Sequence, residues 1–152
     1  MTAVLLKPDE LEVARAEVEA VRDALGQGDY RDLLDDLLGT LAEGYGIEGR
    51  HAEALDRLLT LALQSGRVRA LYGPGGEQAA LRAFRKLPTG ADLTQTTTAV
   101  NDALAALDGR PIDRLALKAV GPAAFTLAVA TDGAELTIRL DRQGARVTSV
   151  EA

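Results

Sequence analysis

Phe125-Thr126-Leu127-Ala128-Val129-Ala130-Thr131-Asp132-Gly133-Ala134-Glu135-Leu136-Thr137-Ile138-Arg139-Leu140 alternates apolar and polar side chains on both sides of an Asp-Gly pair. Period-two alternation around Asp-Gly is a strong short-range signal for a two-residue β-hairpin. With Asp132 and Gly133 in the turn, Val129 faces Leu136, Leu127 faces Ile138 and Phe125 faces Leu140. All three pairs then share one face, and a one-residue slip would turn every apolar side chain to the other. The stretch specifies its own register.

The same alternation extends outward. After Gly109, four strands are expected, at about 113–120, 124–131, 134–141 and 145–150. Setting Leu115 and Leu117 opposite Val129 and Leu127 needs an odd loop, Gly121-Pro122-Ala123, with a bulge. A Gln143-Gly144 turn places Leu140 opposite Val147 and Asp141 opposite Arg146, both sensible cross-strand pairs. The second sheet face holds Thr126, Ala128, Ala130, Thr137 and Arg139.

Upstream of Gly109 the periodicity is helical. Helix one is expected from Asp9 to Leu25, opening on an Asp9/Glu12 capping pair. Its apolar positions Leu11, Ala14, Val18, Val21 and Leu25 step by three and four, a narrow seam suited to a partner helix. Helix two runs from an Asp29 N-cap to Glu43, with Tyr30, Leu33, Leu34, Leu37, Leu38 and Leu41 on one side. Helix three covers Arg50 to Ser65 and ends at Gly66. Val68 to Tyr72 reads as a short strand or extended connection before the turn Gly73-Pro74-Gly75-Gly76. Helix four then spans Glu77 to Lys86 and stops before Pro88. Helix five spans Asp92 to Leu107 and is expected across the apolar face of the sheet. The fold class is therefore α+β, N-terminal helices followed by a four-stranded antiparallel meander, within a single domain. That element order is similar to the core layout of cystatin-like folds, but no motif is shared and no function follows.

The 152 residues suffice for a hydrophobic core, built from aliphatic side chains because aromatics make up only 3% of the chain. No cysteine is present, so disulfides and thiolate chemistry are excluded. The apolar run at Val4-Leu5-Leu6 is too short for a signal-peptide core, and no stretch approaches the ~20 apolar residues of a membrane span. A cytoplasmic protein is expected. Arginine far outnumbers lysine and Ala, Leu and Gly are abundant, the usage of a GC-rich bacterial genome. The net charge is −6, and residues 1–66 hold 14 acidic against 6 basic side chains. Such acidity disfavours nucleic acid as a partner.

Candidate chemistry is sparse. His51 is the only histidine, and Glu48/His51 is one Glu-x-x-His pair where a di-metal site needs two. Ser65 lies on the same expected helix as His51, about 21 Å along it, too far for a catalytic pair. The row Asp29, Asp32, Asp36 and Glu43 could hold Mg²⁺ only against a facing carboxylate helix, and it lies opposite the leucine face. No catalytic residue, metal ligand or cofactor is therefore assigned. The turn at Gly73–Gly76 is the best anion candidate, with Gly75 and Gly76 amides at a helix start and Arg67, Arg69 and Arg82 nearby. It lacks the Lys-Ser/Thr ending of a P-loop.

These observations favour a non-enzymatic interaction or regulatory module, homodimeric through Leu11, Val18 and Leu25 or through Thr126, Ala128 and Ala130. The alternative is a small-molecule or anion-binding protein, or an enzyme, with its site at the glycine turn.

Overall fold

The computed structural model describes residues 2–151, and the chain divides into two compact units, Met1–Ala91 and Asp92–Ala152. It is α+β, five helices followed by a four-stranded antiparallel sheet in the order β1-β2-β3-β4.

The first unit contains α1 (Pro8–Ala24), α2 (Asp29–Glu43), α3 (Gly49–Gln64) and α4 (Arg67–Lys86). α1 packs against the other three, and α3 packs against α2 and α4. The core comes from the apolar stripes, with Val18, Leu34, Leu37, Leu55 and Leu59 fully buried. α1 starts one residue earlier than expected, because Pro8 supplies a preset φ at N1. Its cap is also different: the Lys7 amide donates to Glu10 Oε2 at 2.9 Å, and Asp9 and Glu12 form no capping pair. Gly28 precedes α2, so Asp29 is its first residue rather than its N-cap. The N-terminal segment is clipped to the loop before α3 by two reciprocal 2.8 Å hydrogen bonds between Val4 and Ile47.

Val68–Tyr72 is helical, not extended, and forms the first limb of α4. Val68 and Tyr72 are four residues apart, so a helix puts both on the face that meets Val13, Ala62, Ala79 and Ala80. The glycine turn is a kink within this helix. Gly73, at φ 71° and ψ −174°, is its one non-helical residue, and Pro74 restarts the helix. A side chain at Gly76 would collide with the Tyr72 Cβ, so glycine lets the two limbs close up. Pro88 likewise starts a helix: α5 runs Pro88–Ala105, not from Asp92. Buried Asp56 of α3 secures that start, its Oδ2 accepting from the Thr89 amide at 3.2 Å and hydroxyl at 2.7 Å.

The second unit contains the rest of α5 and strands β1 (Ile112–Gly121), β2 (Ala124–Thr131), β3 (Ala134–Asp141) and β4 (Gly144–Glu151). The central hairpin has the expected register, Phe125–Leu140, Leu127–Ile138 and Val129–Leu136. β1 pairs as expected too, Leu115 with Val129 and Leu117 with Leu127, although its loop is shorter than expected. Gly121 pairs with Ala124 across a Pro122-Ala123 turn, and a bulge between Ala119 and Gly121 restores the parity.

The last hairpin departs from expectation. Arg142 and Gln143 form the turn, so Leu140 faces Ala145, Arg139 faces Arg146 and Ile138 faces Val147. The Asp141 carboxylate accepts the Gln143 amide at 2.9 Å and places the turn one residue early. Gly144, at φ 109°, follows it and has the Leu93 side chain directly above. Val100 of α5 packs with Leu136 and Ile138, flanked by Leu104, Leu127 and Val147, so helix five does cover the apolar face.

Candidate functional site

The three candidate anion-binding arginines around the glycine kink, and Lys86 beside them, have carboxylate partners. α1 and the second limb of α4 set the acidic start of one helix beside the basic end of the other, the polarity that helix dipoles favour. Arg82 pairs with Asp9 and lies 3.8 Å from Glu10, while Lys86 donates to Glu10 at 2.6 Å and to the Leu5 carbonyl at 3.1 Å. The bond from Arg82 holds the Asp9 carboxyl below the usual carboxylate range. Arg67 lies 3.3 Å from Glu17, and Arg69 lies 4.0 Å from Glu77 across the kink. Arg67, Arg69 and Arg82 thus each face a carboxylate, while Gly75 and Gly76 line a separate cleft.

That cleft lies between α1 and α4 and measures about 340 Å³. Val13, Ala16, Tyr72 and Ala79 supply apolar wall, and Asp9 and Glu12 supply its charge. The Tyr72 hydroxyl donates to Glu17 Oε1 at 2.8 Å, which fixes the ring. Burial and that bond push the phenol up to about 12.

Glu10 and Glu17 went unread in the sequence, yet they are only 1% and 2% exposed. Their spacing carried a signal: seven residues apart on α1, they fall on the same helical face as Ala14, inside the apolar stripe. A carboxylate in that stripe calls for a partner, and Lys86 serves Glu10 while Arg67 and Tyr72 serve Glu17, each of them reaching in from a partly exposed position.

The helix-one seam is spent inside its own unit. Val18 is fully buried, and Leu11 and Leu25 pack against the helical core. Thr126, Ala128 and Ala130 are half-buried on the sheet face opposite Leu127 and Val129. Small side chains on β2 leave room there for long ones on its neighbours. Arg114 faces Ala130 on one side, Glu135 faces it on the other, and the two close a 2.7 Å ion pair.

The apolar sheet face is unevenly covered. Leu115 and Leu117 are 61% and 66% exposed, although Val129, directly opposite Leu115, is 5% exposed. Ile112 is also more than half exposed. The cluster around Val100 takes in residues of β2, β3 and β4 and none of β1. β1 is the first strand of the order, so it pairs on one side only. An edge strand with an uncovered apolar row is the least protected feature of the sheet. The sequence pattern pointed these leucines inward, and the cluster around α5 does not extend to them.

His51 is half-exposed at the start of α3, its Nδ1 3.4 Å from the Thr40 hydroxyl. Asp29, Asp32, Asp36 and Glu43 are all exposed, and among the described residues no three acidic or histidine side chains are grouped to hold a metal ion. No helix among them is long and apolar enough to cross a membrane. Comparison with family models, curated proteins and solved structures returned no match.

Proposed function

We propose that this chain is a non-enzymatic interaction module that self-associates through the β1 edge of its C-terminal sheet. The exposure of Leu115 and Leu117 beside buried Val129 and partly buried Leu127 carries the reading. Antiparallel addition of a second β1 satisfies the free backbone edge and extends the apolar face across a two-fold axis.

Side-chain chemistry favours one register. With Ala116 on the axis, Arg114 would meet the copy's Lys118, a like-charge pair. With Leu117 on the axis, Lys118 meets Ala116 and Leu115 meets Ala119, and no charges clash. The two Leu117 side chains then face each other.

The absence of cysteine gives a clean test. Leu117→Cys should form an intermolecular disulfide on mild oxidation, since directly opposed strand residues have Cα atoms within disulfide range. Thr148→Cys, on the exposed far edge strand, should not. Equal cross-linking at both positions, or none at 117, would remove the β1 interface.

A further inference from the structure

We propose that the cleft between α1 and the kinked α4 binds an organic ammonium ion, with the charge at Glu12 and the apolar body against Tyr72. Its volume of about 340 Å³ falls in the range of small-ligand pockets. The wall contains no cationic side chain, and its two carboxylates differ. Asp9 is engaged by Arg82, whereas Glu12 is exposed and has no ion pair or hydrogen bond among the described residues. Glu12 is therefore the uncompensated charge of the cleft.

The nearby cations that would suit an anion are held elsewhere: Arg82 and Lys86 on Asp9 and Glu10, Arg67 on Glu17. The sign of the site is thus opposite to what the arginines around the glycine turn suggest. Tyr72 adds a second attraction. Its hydroxyl bond to Glu17 fixes an aromatic ring in the wall, and ring faces attract ammonium groups. Gly76 keeps that ring against the second limb of α4, and a Cβ at Gly75 would meet nothing within 4 Å, so the rim stays open. Buried Val13 and Ala79 complete an apolar floor. The combination of a fixed ring, an apolar floor and one unpaired carboxylate suits an amine with a small hydrophobic body. It does not suit a bare metal ion, which needs several carboxylates.

Titration calorimetry of the full chain with benzylammonium, benzyl alcohol and benzoate at constant ionic strength tests this. Benzylammonium should bind saturably and benzyl alcohol roughly threefold to fivefold more weakly, the range of a solvent-exposed charge pair. Benzoate should give no heat of binding. Glu12→Gln should weaken benzylammonium roughly threefold to fivefold with the unfolding midpoint unchanged, because Glu12 supports no other group. Ala16→Trp, which fills the mouth without touching the charge, should abolish binding. Saturable benzoate binding, unaltered affinity in Glu12→Gln, or no benzylammonium binding to the unmodified chain would each overturn the proposal.

Discussion

Leu117→Lys should separate self-association from folding. Leu117 is 66% exposed, so about two-thirds of its burial free energy is still to be gained. Full burial of a leucine is worth about 1.5–3 kcal/mol, which leaves about 1–2 kcal/mol for an interface to collect. A two-fold interface uses every residue twice. The substitution should therefore cost about 2–4 kcal/mol of dimerisation, a dissociation constant raised about 30- to 1000-fold. Folding of the separate chain should barely change, because a surface substitution of this kind stays within about 0.5 kcal/mol. Sedimentation velocity over a concentration series, alongside circular dichroism, reads both quantities. An unchanged dissociation constant would refute the β1 seam. A collapse of the helical and strand signals would show instead that Leu117 belongs to the monomer core.

Other consequences follow from the polar contacts. Tyr72→Phe removes a hydrogen bond to a buried carboxylate and should destabilise the chain by about 1–3 kcal/mol in urea unfolding. The folded Tyr72 phenol lies near 12, above its unfolded value of 10.0, so its contribution is whole below pH 10 and is lost as pH rises towards 12. The variant should lose stability less steeply over that interval. Asp141 has its folded pKa lowered, first by the bond from Arg139, so its contribution is present above the unfolded carboxylate value and is lost as pH falls through the folded one. Asp141→Asn should flatten the acid limb of the stability profile, and an unchanged limb would show that the Arg139 and Arg146 contacts are idle. Glu10→Ala leaves Lys86 with only the Leu5 carbonyl and should cost about 2–3 kcal/mol in urea unfolding, below the usual cost of breaking a fully buried pair because Lys86 stays partly in water.

The sheet was the most readable part of the chain. Period-two alternation and Asp132-Gly133 leave one register that buries one face, and the central pairs are those the residues imply. The final hairpin was less so, because Gln143-Gly144 looks like a turn while Asp141 sets the real one through its side chain. Pro88 reads equally well as the stop of one helix and the start of the next, and Asp56, which fixes the second role by accepting from Thr89, is 33 residues distant from it. Val68–Tyr72 is too short for its period to be read, and its burial against Ala79 and Ala80 decides for helix. The division into two units leaves no composition break, since the boundary falls inside α5. Among the candidate site residues, Gly75 and Gly76 do line a cleft. The arginines do not, because pairing with Asp9, Glu10 and Glu17 depends on which helices become neighbours.

Native mass spectrometry of the unmodified chain, sprayed from a dilution series without denaturant, tests self-association through β1 most directly. The account predicts a dimer that gives way to monomer on dilution, and a Leu117→Lys sample that is monomeric throughout. A monomer at every concentration in the unmodified chain would contradict it.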